Sequence, residues 1–142
     1  MTRFSGPDDS PGFLLWRVTL AWQRAMRAAL APHDLTHVQF VLLASLWWLV
    51  SHNGPPSQQQ LASHAGTDPM MTSQVLRKLE DRGFVSRSVD PADSRARLLE
   101  LTSAGKALVS KAMKDVEDAD VAYFAGLGSE QQAFIRGLTR LL

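Results

Sequence analysis

The side chains with the most informative chemistry in this sequence lie along residues 68–82. If this segment is helical, side chains placed about 100° apart form an apolar stripe on one side and a polar face on the other. The polar face and its flanks comprise Met70, Met71, Ser73, Gln74, Arg77, Lys78 and Asp81. Gln can hydrogen-bond an adenine edge, Arg can bind guanine through two hydrogen bonds, and Met can contact a thymine methyl group. The pattern predicts a helix that reads the major groove of DNA; an ordinary solvated helix face is the alternative that the pattern alone leaves open.

Two helix starts indicate how that face is positioned. Ser57 begins a capping box, which predicts a short helix that ends at Gly66. Asp68 followed by Pro69 is a helix N-cap with proline at the first helical position. Two helices separated by a short turn that contains glycine form a helix-turn-helix. From the first of these helices we expect Ser57 and Gln58 to hydrogen-bond DNA phosphates.

A β-hairpin is predicted directly after this pair of helices. Residues 84–89 and 98–101 have the composition of strands, and residues 90–95 between them are rich in turn-forming types. A hairpin in this position makes a wing. The predicted motif is therefore a winged helix-turn-helix that spans about residues 35–101.

Three arginines surround the predicted hairpin, namely Arg87, Arg95 and Arg97. An arginine on a wing can enter the narrow, electronegative minor groove or contact the phosphates beside it, so we expect all three to bind DNA. Asp93 lies among them, and its carboxylate would repel phosphate if it were unpaired. We expect Asp93 to pair with a neighbouring arginine and to order the wing.

Long helices are predicted on both sides of the motif. Residues 13–31 contain no Gly or Pro and form an amphipathic first helix, and Thr36 caps a second, intensely apolar helix that we expect to be almost wholly buried. Thr102 begins a fifth helix, and Ser129 is predicted to cap the last one. Residues 1–11 are rich in Pro, Gly, Ser and Asp, which predicts a flexible N-terminal arm.

Composition excludes several classes of protein. A chain of 142 residues has room for one domain, and its formal net charge of +1 means that DNA contact must depend on where the positive charges lie. The absence of cysteine excludes disulfides, thiol redox chemistry and cysteine-ligated zinc. No nucleophile elbow, phosphate-binding loop or zinc-protease motif is present, so we expect neither an enzyme nor a cofactor.

The expected location is the cytoplasm. The N-terminus has no recognisable export signal, because acidic residues and prolines interrupt it. The apolar run at residues 38–50 is shorter than the roughly 20 residues that a membrane span needs. We therefore expect no membrane association.

A metal site is considered because His33 and His37 are four residues apart, a spacing that places two imidazoles on one helical face. Pro32 and the Thr36 cap put His33 outside the helix, and the ligand count falls short of the usual four. We expect no metal, with a metal-responsive regulator as an alternative.

The sequence DSRARLLELTSAG at residues 93–105 resembles the wing signature of the MarR (multiple antibiotic resistance regulator) family, in which Asp-x-Arg precedes Leu-Thr-x-x-Gly. LEDRGFV at residues 79–85 is similar to the end of that family's recognition helix, and residues 35–40 are similar to the entry into its second helix. The resemblance extends from residue 13 to the C-terminus. It implies a mainly α-helical winged-helix homodimer that binds a pseudo-palindromic operator as a transcriptional regulator, which we expect to be a repressor.

The resemblance also implies that helices at residues 12–31 and 102–142 form the dimer interface, within one domain at residues 12–142. Two recognition helices then enter successive major grooves, with half-site centres about 34–36 Å apart. Dimerisation has independent physical support, because a last helix that ends in Leu141 and Leu142 needs another apolar surface. A winged-helix module that binds proteins instead of DNA is the alternative, which steep salt dependence of binding would exclude.

A small aromatic or lipophilic effector is a further implication of the resemblance, bound where the dimerisation helices meet the DNA-binding lobe. The candidate lining residues are Trp16, Arg17, His37, Trp47 and Trp48. A cation or imidazole among aromatic rings suits an aromatic carboxylate. Packing in the core or at the interface is the alternative role of the tryptophans.

Overall fold

The structure is a computed structural model and describes residues 2–142. Within these residues the chain forms six α-helices and two paired strands. Their bounds are α1 (Pro11–Leu30), α2 (His37–Asn53), α3 (Gln58–Ala65), α4 (Pro69–Asp81), β1 (Val85–Asp90), β2 (Asp93–Leu101), α5 (Ser103–Phe124) and α6 (Gln131–Leu141). This order of elements confirms the mainly α-helical winged helix-turn-helix that the sequence predicts.

Local hydrogen bonds begin four of the helices where the sequence predicts. Thr36 and Ser57 each form a complete capping box with a glutamine three residues on. Asp68 caps α4 by accepting a hydrogen bond from the Met71 N–H, and Thr102 caps α5. Each cap satisfies a backbone N–H that has no partner inside its helix. Gly66 ends α3 with a φ of 71°, a left-handed conformation that favours glycine.

The core is built around α2, which packs against the first helix, both helices of the helix-turn-helix, β2 and α5. Its fully buried members include Leu42, Leu43 and Leu46 of α2, Leu61 of α3, Leu76 and Leu79 of α4, and Leu99 of β2. Full burial of one such side chain contributes about 1.5–3 kcal/mol. Because Leu76, Leu79 and Thr72 fix the inner side of α4, the opposite side must face solvent.

The expectation that α2 is almost wholly buried is wrong. Trp47 and Trp48 are 45% and 42% exposed. Both lie on a side of α2 that the neighbouring elements leave partly uncovered, because α2 is apolar around much of its circumference and only part of that circumference can face the core.

The wing also differs from its prediction. β2 begins at Asp93 and pairs antiparallel with β1 in a register that opposes Asp90 and Asp93. Two residues therefore separate the strands, and Arg95 lies within β2 where a loop is predicted. The register shifts between the Val89–Arg97 and Asp90–Asp93 pairs, so Arg95 itself has no partner residue on β1. Two Asp side chains tighten the turn, because Asp90 accepts a hydrogen bond from the Ala92 N–H at 2.9 Å and Asp93 accepts one from the Arg95 N–H at 3.0 Å.

One backbone hydrogen bond attaches the wing to the helix-turn-helix. The Leu99 N–H of β2 donates to the carbonyl oxygen of Pro56 at 2.9 Å. Pro56 is buried and directly precedes Ser57, the N-cap of α3. The base of the wing is therefore fixed to the start of α3.

The two ends of the chain depart from their predicted boundaries. Ser129 does not cap α6, which begins at Gln131 after a 3-10 segment at Ala125–Glu130. The N-cap position of α6 is instead Glu130, which has helical backbone angles and forms no side-chain cap hydrogen bond, whereas a capping side chain needs an extended backbone. At the other end, Ser10 caps α1 by accepting from the Phe13 N–H, and Pro7–Asp9 form a 3-10 turn. Regular structure thus begins earlier than the arm predicted for residues 1–11 allows; within that arm, Met1 lies outside the described residues.

Candidate nucleic-acid interface

The predicted reading face of α4 is open to solvent. Met70 is 72% exposed, Gln74, Arg77 and Lys78 are exposed, and Met71 and Ser73 on the flanks are half-buried. Within residues 2–142, the side chains of Gln74, Arg77 and Lys78 make no hydrogen bond or ion pair. Their donors and acceptors are therefore available to a partner. The helix presents them from a rigid element, since its opposite side is packed in the core.

The predicted contacts on α3 have part of their hydrogen-bonding capacity in use. The Ser57 hydroxyl oxygen accepts from the Gln60 N–H at 3.2 Å, which leaves the hydroxyl hydrogen for another acceptor. Gln58 accepts a hydrogen bond from Arg87 at 3.0 Å through its Oε1 atom. Both side chains are half-buried.

The three wing arginines do not share one role. Arg95 is exposed, and its guanidinium makes no hydrogen bond within the described chain. Arg97 donates to the carbonyl oxygens of Ser94 and Ala96, both at 3.2 Å. Arg87 pairs with Glu80 of α4 and donates to Gln58. Of these three arginines, Arg95 is therefore the one whose guanidinium has no partner within the described chain.

Asp93 orders the wing by a different contact from the predicted one. Its Oδ1 atom accepts from the backbone N–H of Arg95, and no ion pair joins it to a guanidinium in the described part of the chain. The carboxylate therefore holds the shape of the turn through the main chain. A local bond of this kind is the usual way in which Asp stabilises a turn.

The five residues proposed to line an effector cleft do not come together within one protomer. Trp16 is exposed on the outer side of α1, as is Arg17. Trp47 faces a different cavity, and Trp48 stacks on His52 of α2 and on His64 of α3. Of the five, His37 lines the cavity at the junction of α1 with the helix-turn-helix.

That junction cavity has a volume of about 590 Å³. Its lining residues are Gln23, Arg27, Ala31, Leu35, Thr36, His37, Val38, Val41 and Thr67. Thr67 belongs to the turn between α3 and α4, so the cavity touches both α1 and the helix-turn-helix. Arg27 supplies a cation in otherwise mostly apolar walls. The sequence prediction missed Arg27, although Gln23 and Arg27 are four apart and therefore share one face of α1.

The surroundings of His37 in this cavity favour its neutral form. Burial lowers the pKa of the His37 imidazole, and the positive charge of Arg27 lowers it further. The ring of Trp22 meets His37 edge-on, with 5.0 Å between ring centroids. Trp22 is in turn fixed by its indole N–H, which donates to Asp120 of α5 at 2.8 Å. Arg27 is the one guanidinium among the residues that line the cavity.

The two histidines considered for metal binding, His33 and His37, face different neighbours. The His33 ring hydrogen-bonds Asp115 of α5 at 2.6 Å, whereas His37 faces Trp22. Residues 2–142 contain no group of three His, Cys, Asp or Glu side chains that could hold an ion.

None of the described helices is by itself both long and apolar enough to cross a membrane. The first two helices meet the length and composition criteria only as a pair, Pro11–His33 and His37–Asn53, that is bent by 77°.

An open polar face on the second helix of a helix-turn-helix, followed by a hairpin with an unpaired arginine, defines the class of winged-helix DNA-binding regulators. The profile of the MarR family matches residues 35–96. The chain is 48% identical to an uncharacterised HTH-type transcriptional regulator, YdcH of Bacillus subtilis, over 99% of this chain and 95% of that protein. It is 39% identical to the HTH-type transcriptional repressor Rv2887 of Mycobacterium tuberculosis, over 94% and 95% of the two chains. The chain belongs to the MarR family of transcriptional regulators.

Solved structures agree with this assignment. The repressor CouR bound to a 23-mer DNA duplex superposes with a TM-score of 0.83 at 25% identity, over 99% of this chain and 97% of that one. CouR from Rhodococcus jostii bound to p-coumaroyl-CoA superposes with a TM-score of 0.83 at 28% identity, over 96% and 94% of the two chains. The relatives are transcriptional regulators, and a protein-interaction module without DNA recognition is not favoured.

Proposed function

We propose that the protein is a homodimeric repressor that binds a pseudo-palindromic operator and is controlled by a small anionic aromatic ligand. It acts by binding, without a catalytic step, in the cytoplasm where the operator is located. The observation that carries the proposal is the open face of α4, on which Gln74 and Arg77 keep their base-reading groups unpaired while the opposite side of the helix is locked in the core.

The contacts divide into two kinds. Gln74 and Arg77, with Ser73 and the methionines Met70 and Met71, read base edges in the major groove. Lys78 and the hydroxyl and amide donors at the start of α3 bind phosphates, which fixes register without reading sequence. Arg95 on the wing reaches the minor groove or its phosphates.

A second copy of the chain is the partner that completes the fold. α6 buries none of its residues, although Phe134, Leu138 and Leu141 share one side of it. This side and the start of α1 form an apolar groove of about 670 Å³. In a twofold dimer the groove of each protomer faces the same surface of the other copy.

The junction cavity is the proposed effector site. Its single guanidinium, Arg27, suits a carboxylate, and its apolar walls suit an aromatic ring. Hydrogen bonds connect the rim of the cavity to Arg82 at the end of α4. Arg82 donates to Asp34 and to the Oε1 atom of Gln39, each at 3.4 Å, and the same Gln39 oxygen accepts from the N–H of Thr36, a residue of the rim. A ligand that prefers a different arrangement of this rim lowers operator affinity by its differential affinity for the two states.

Operator binding is tested with Arg77→Ala. In-vitro selection from a random duplex library should return a palindrome, and the variant should lose about 1–3 kcal/mol of binding free energy with relaxed preference at one base pair per half-site. Arg3→Ala is the matched control, because Arg3 is exposed and distant in sequence from the motif. Affinity and selectivity equal to those of the parent would exclude Arg77 as a reading residue, and recovery of no preferred duplex would exclude operator recognition.

Effector binding is tested by thermal unfolding with benzoate and its hydroxylated derivatives. A ligand at 100 times its Kd stabilises the folded state by about 2.7 kcal/mol, so at least one of these acids should raise Tm in the parent. Arg27→Met should abolish that rise because the carboxylate loses its cation. Benzamide, which has the ring without the charge, is the control ligand. Equal stabilisation of the parent and of Arg27→Met would show that the acid binds elsewhere.

A further inference from the structure

Arg87 of the wing forms a chain of contacts with both helices of the helix-turn-helix. Its Nε atom pairs with the carboxylate of Glu80 on α4, and its Nη2 atom donates to the Oε1 atom of Gln58 on α3 at 3.0 Å. The side chains of Arg87 and Glu80 are only 29% and 25% exposed. One guanidinium therefore connects three elements that the sequence separates, β1, α4 and α3.

Which atom of Gln58 faces Arg87 follows from the donors and acceptors of the two side chains. A guanidinium carries only donors, so the group of Gln58 that faces Arg87 must be the amide oxygen. The NH₂ group of Gln58 then lies on the other side of the planar amide, with both of its hydrogens unused inside the described chain. Gln58 is the first residue of α3, the helix that precedes the reading helix. A donor at this place in a helix-turn-helix is suited to a DNA phosphate.

Glu80 determines what Arg87 itself can do. A guanidinium paired with a carboxylate in a partly buried site is already neutralised, so its transfer to a phosphate would leave Glu80 unpaired beside DNA. The base of the wing is also fixed independently, since the Leu99 N–H of β2 donates a hydrogen bond to the carbonyl oxygen of Pro56, just before α3. Arg87 is therefore held in place from two directions.

We infer that Arg87 is a positioning residue, held by Glu80, that orients the amide of Gln58 so that its N–H groups donate to a DNA phosphate, and that Arg87 itself makes no phosphate contact. This inference rests on the proposed operator binding. It replaces the direct DNA contact that the sequence predicts for Arg87 and assigns to Glu80 a role for which the sequence gives no signal.

Salt dependence separates positioning from phosphate contact. Each phosphate neutralised by a cation contributes about 0.9 to the slope of log K against log salt, whereas a neutral amide donor contributes nothing comparable. Operator affinity is measured from 50 to 300 mM salt for the parent, Arg87→Met and the control Arg95→Met. Arg87→Met should weaken binding roughly tenfold at every salt concentration with the slope of the parent, and Arg95→Met should reduce the slope. A slope for Arg87→Met reduced as much as that for Arg95→Met would overturn the inference.

A double-mutant cycle tests whether Arg87 acts through Gln58. If it does, Gln58→Met in the Arg87→Met background should cost little further affinity, because the amide has already lost its orientation. Additive losses would overturn the relay. Arg87→Lys, which keeps a cation beside Glu80, should recover part of the affinity lost by Arg87→Met.

Unfolding in urea without DNA keeps the inference distinct from the proposed function. Glu80→Gln and Arg87→Met should be coupled in stability, and their midpoints also report whether each variant folds. A parent that binds no duplex would overturn the proposed function and the phosphate role with it, while coupling in urea would still establish the contact. Additive effects on stability would overturn the contact itself.

Discussion

Leu138→Glu is expected to convert the protein to a monomer and to reduce operator affinity by at least a hundredfold. Leu138 lies on the apolar side of α6, in the groove that α6 forms with Leu14, Leu15 and Val18 of α1. A carboxylate placed there would lose its hydration among the apolar side chains of the groove and of a second copy, which costs more than the apolar contact contributes. Because two linked half-sites gain about 10²–10⁴ in avidity over one, loss of the dimer removes that factor from binding.

Sedimentation at micromolar protein and binding to a full operator check this result together. Gln132→Glu is the matched control, since it adds the same charge to the same helix on its polar side and should leave both the dimer and the affinity intact. A Leu138→Glu protein that sediments as a dimer would assign the dimer interface to another surface. A parent that is monomeric at these concentrations would contradict the dimer itself.

Gly105→Ala is expected to destabilise the fold by about 3 kcal/mol, at the upper end of overpacking costs. A Cβ atom at this position would lie 2.1 Å from the carbonyl oxygen of Phe84, which is backbone and cannot rotate away. That oxygen also accepts the Thr102 N–H at 3.0 Å, and the Thr102 hydroxyl donates to Gly83 at 2.6 Å. The methyl group would therefore separate α5 from the start of the wing and break the bonds that join them.

Urea unfolding at one fixed protein concentration measures this loss, because the stability of a dimer depends on concentration. Gly126→Ala is the control, since a Cβ there meets no atom within 4 Å and the backbone does not require glycine. It should be neutral or slightly stabilising. A Gly105→Ala protein as stable as Gly126→Ala would mean that α5 can shift away from Phe84 at no cost.

The parts of the fold that the sequence predicts correctly are those decided by neighbours in the chain. Thr36, Ser57, Asp68 and Thr102 cap helices where predicted, because the acceptor and the N–H that it satisfies are three residues apart. Ser129 has the same local pattern but caps no helix, because α6 begins only at Gln131 and the residue before it, Glu130, has helical backbone angles. A capping pattern alone therefore does not determine where a helix begins.

Contacts between residues that are distant in the sequence could not be predicted. Arg87 and Arg95 are both arginines of the wing, yet Glu80 pairs with Arg87 and leaves Arg95 without a partner in the described chain. The residues predicted to line the effector cleft differ from those that line the junction cavity for a related reason. Tryptophans indicate apolar helix sides, but which side faces a cavity depends on packing, and Trp22 and Arg27 reach the cavity region while Trp16 faces outward.

The backbone hydrogen bond from the Leu99 N–H to the Pro56 carbonyl oxygen has a consequence for solubility. An exposed hairpin offers open strand edges to which another hairpin can add, and such edges promote aggregation. Pro56 accepts from the edge of β2 but has no N–H to return, so strand pairing stops after one bond. At this place the edge is both occupied and unable to extend, which protects a protein that must carry two exposed wings at once.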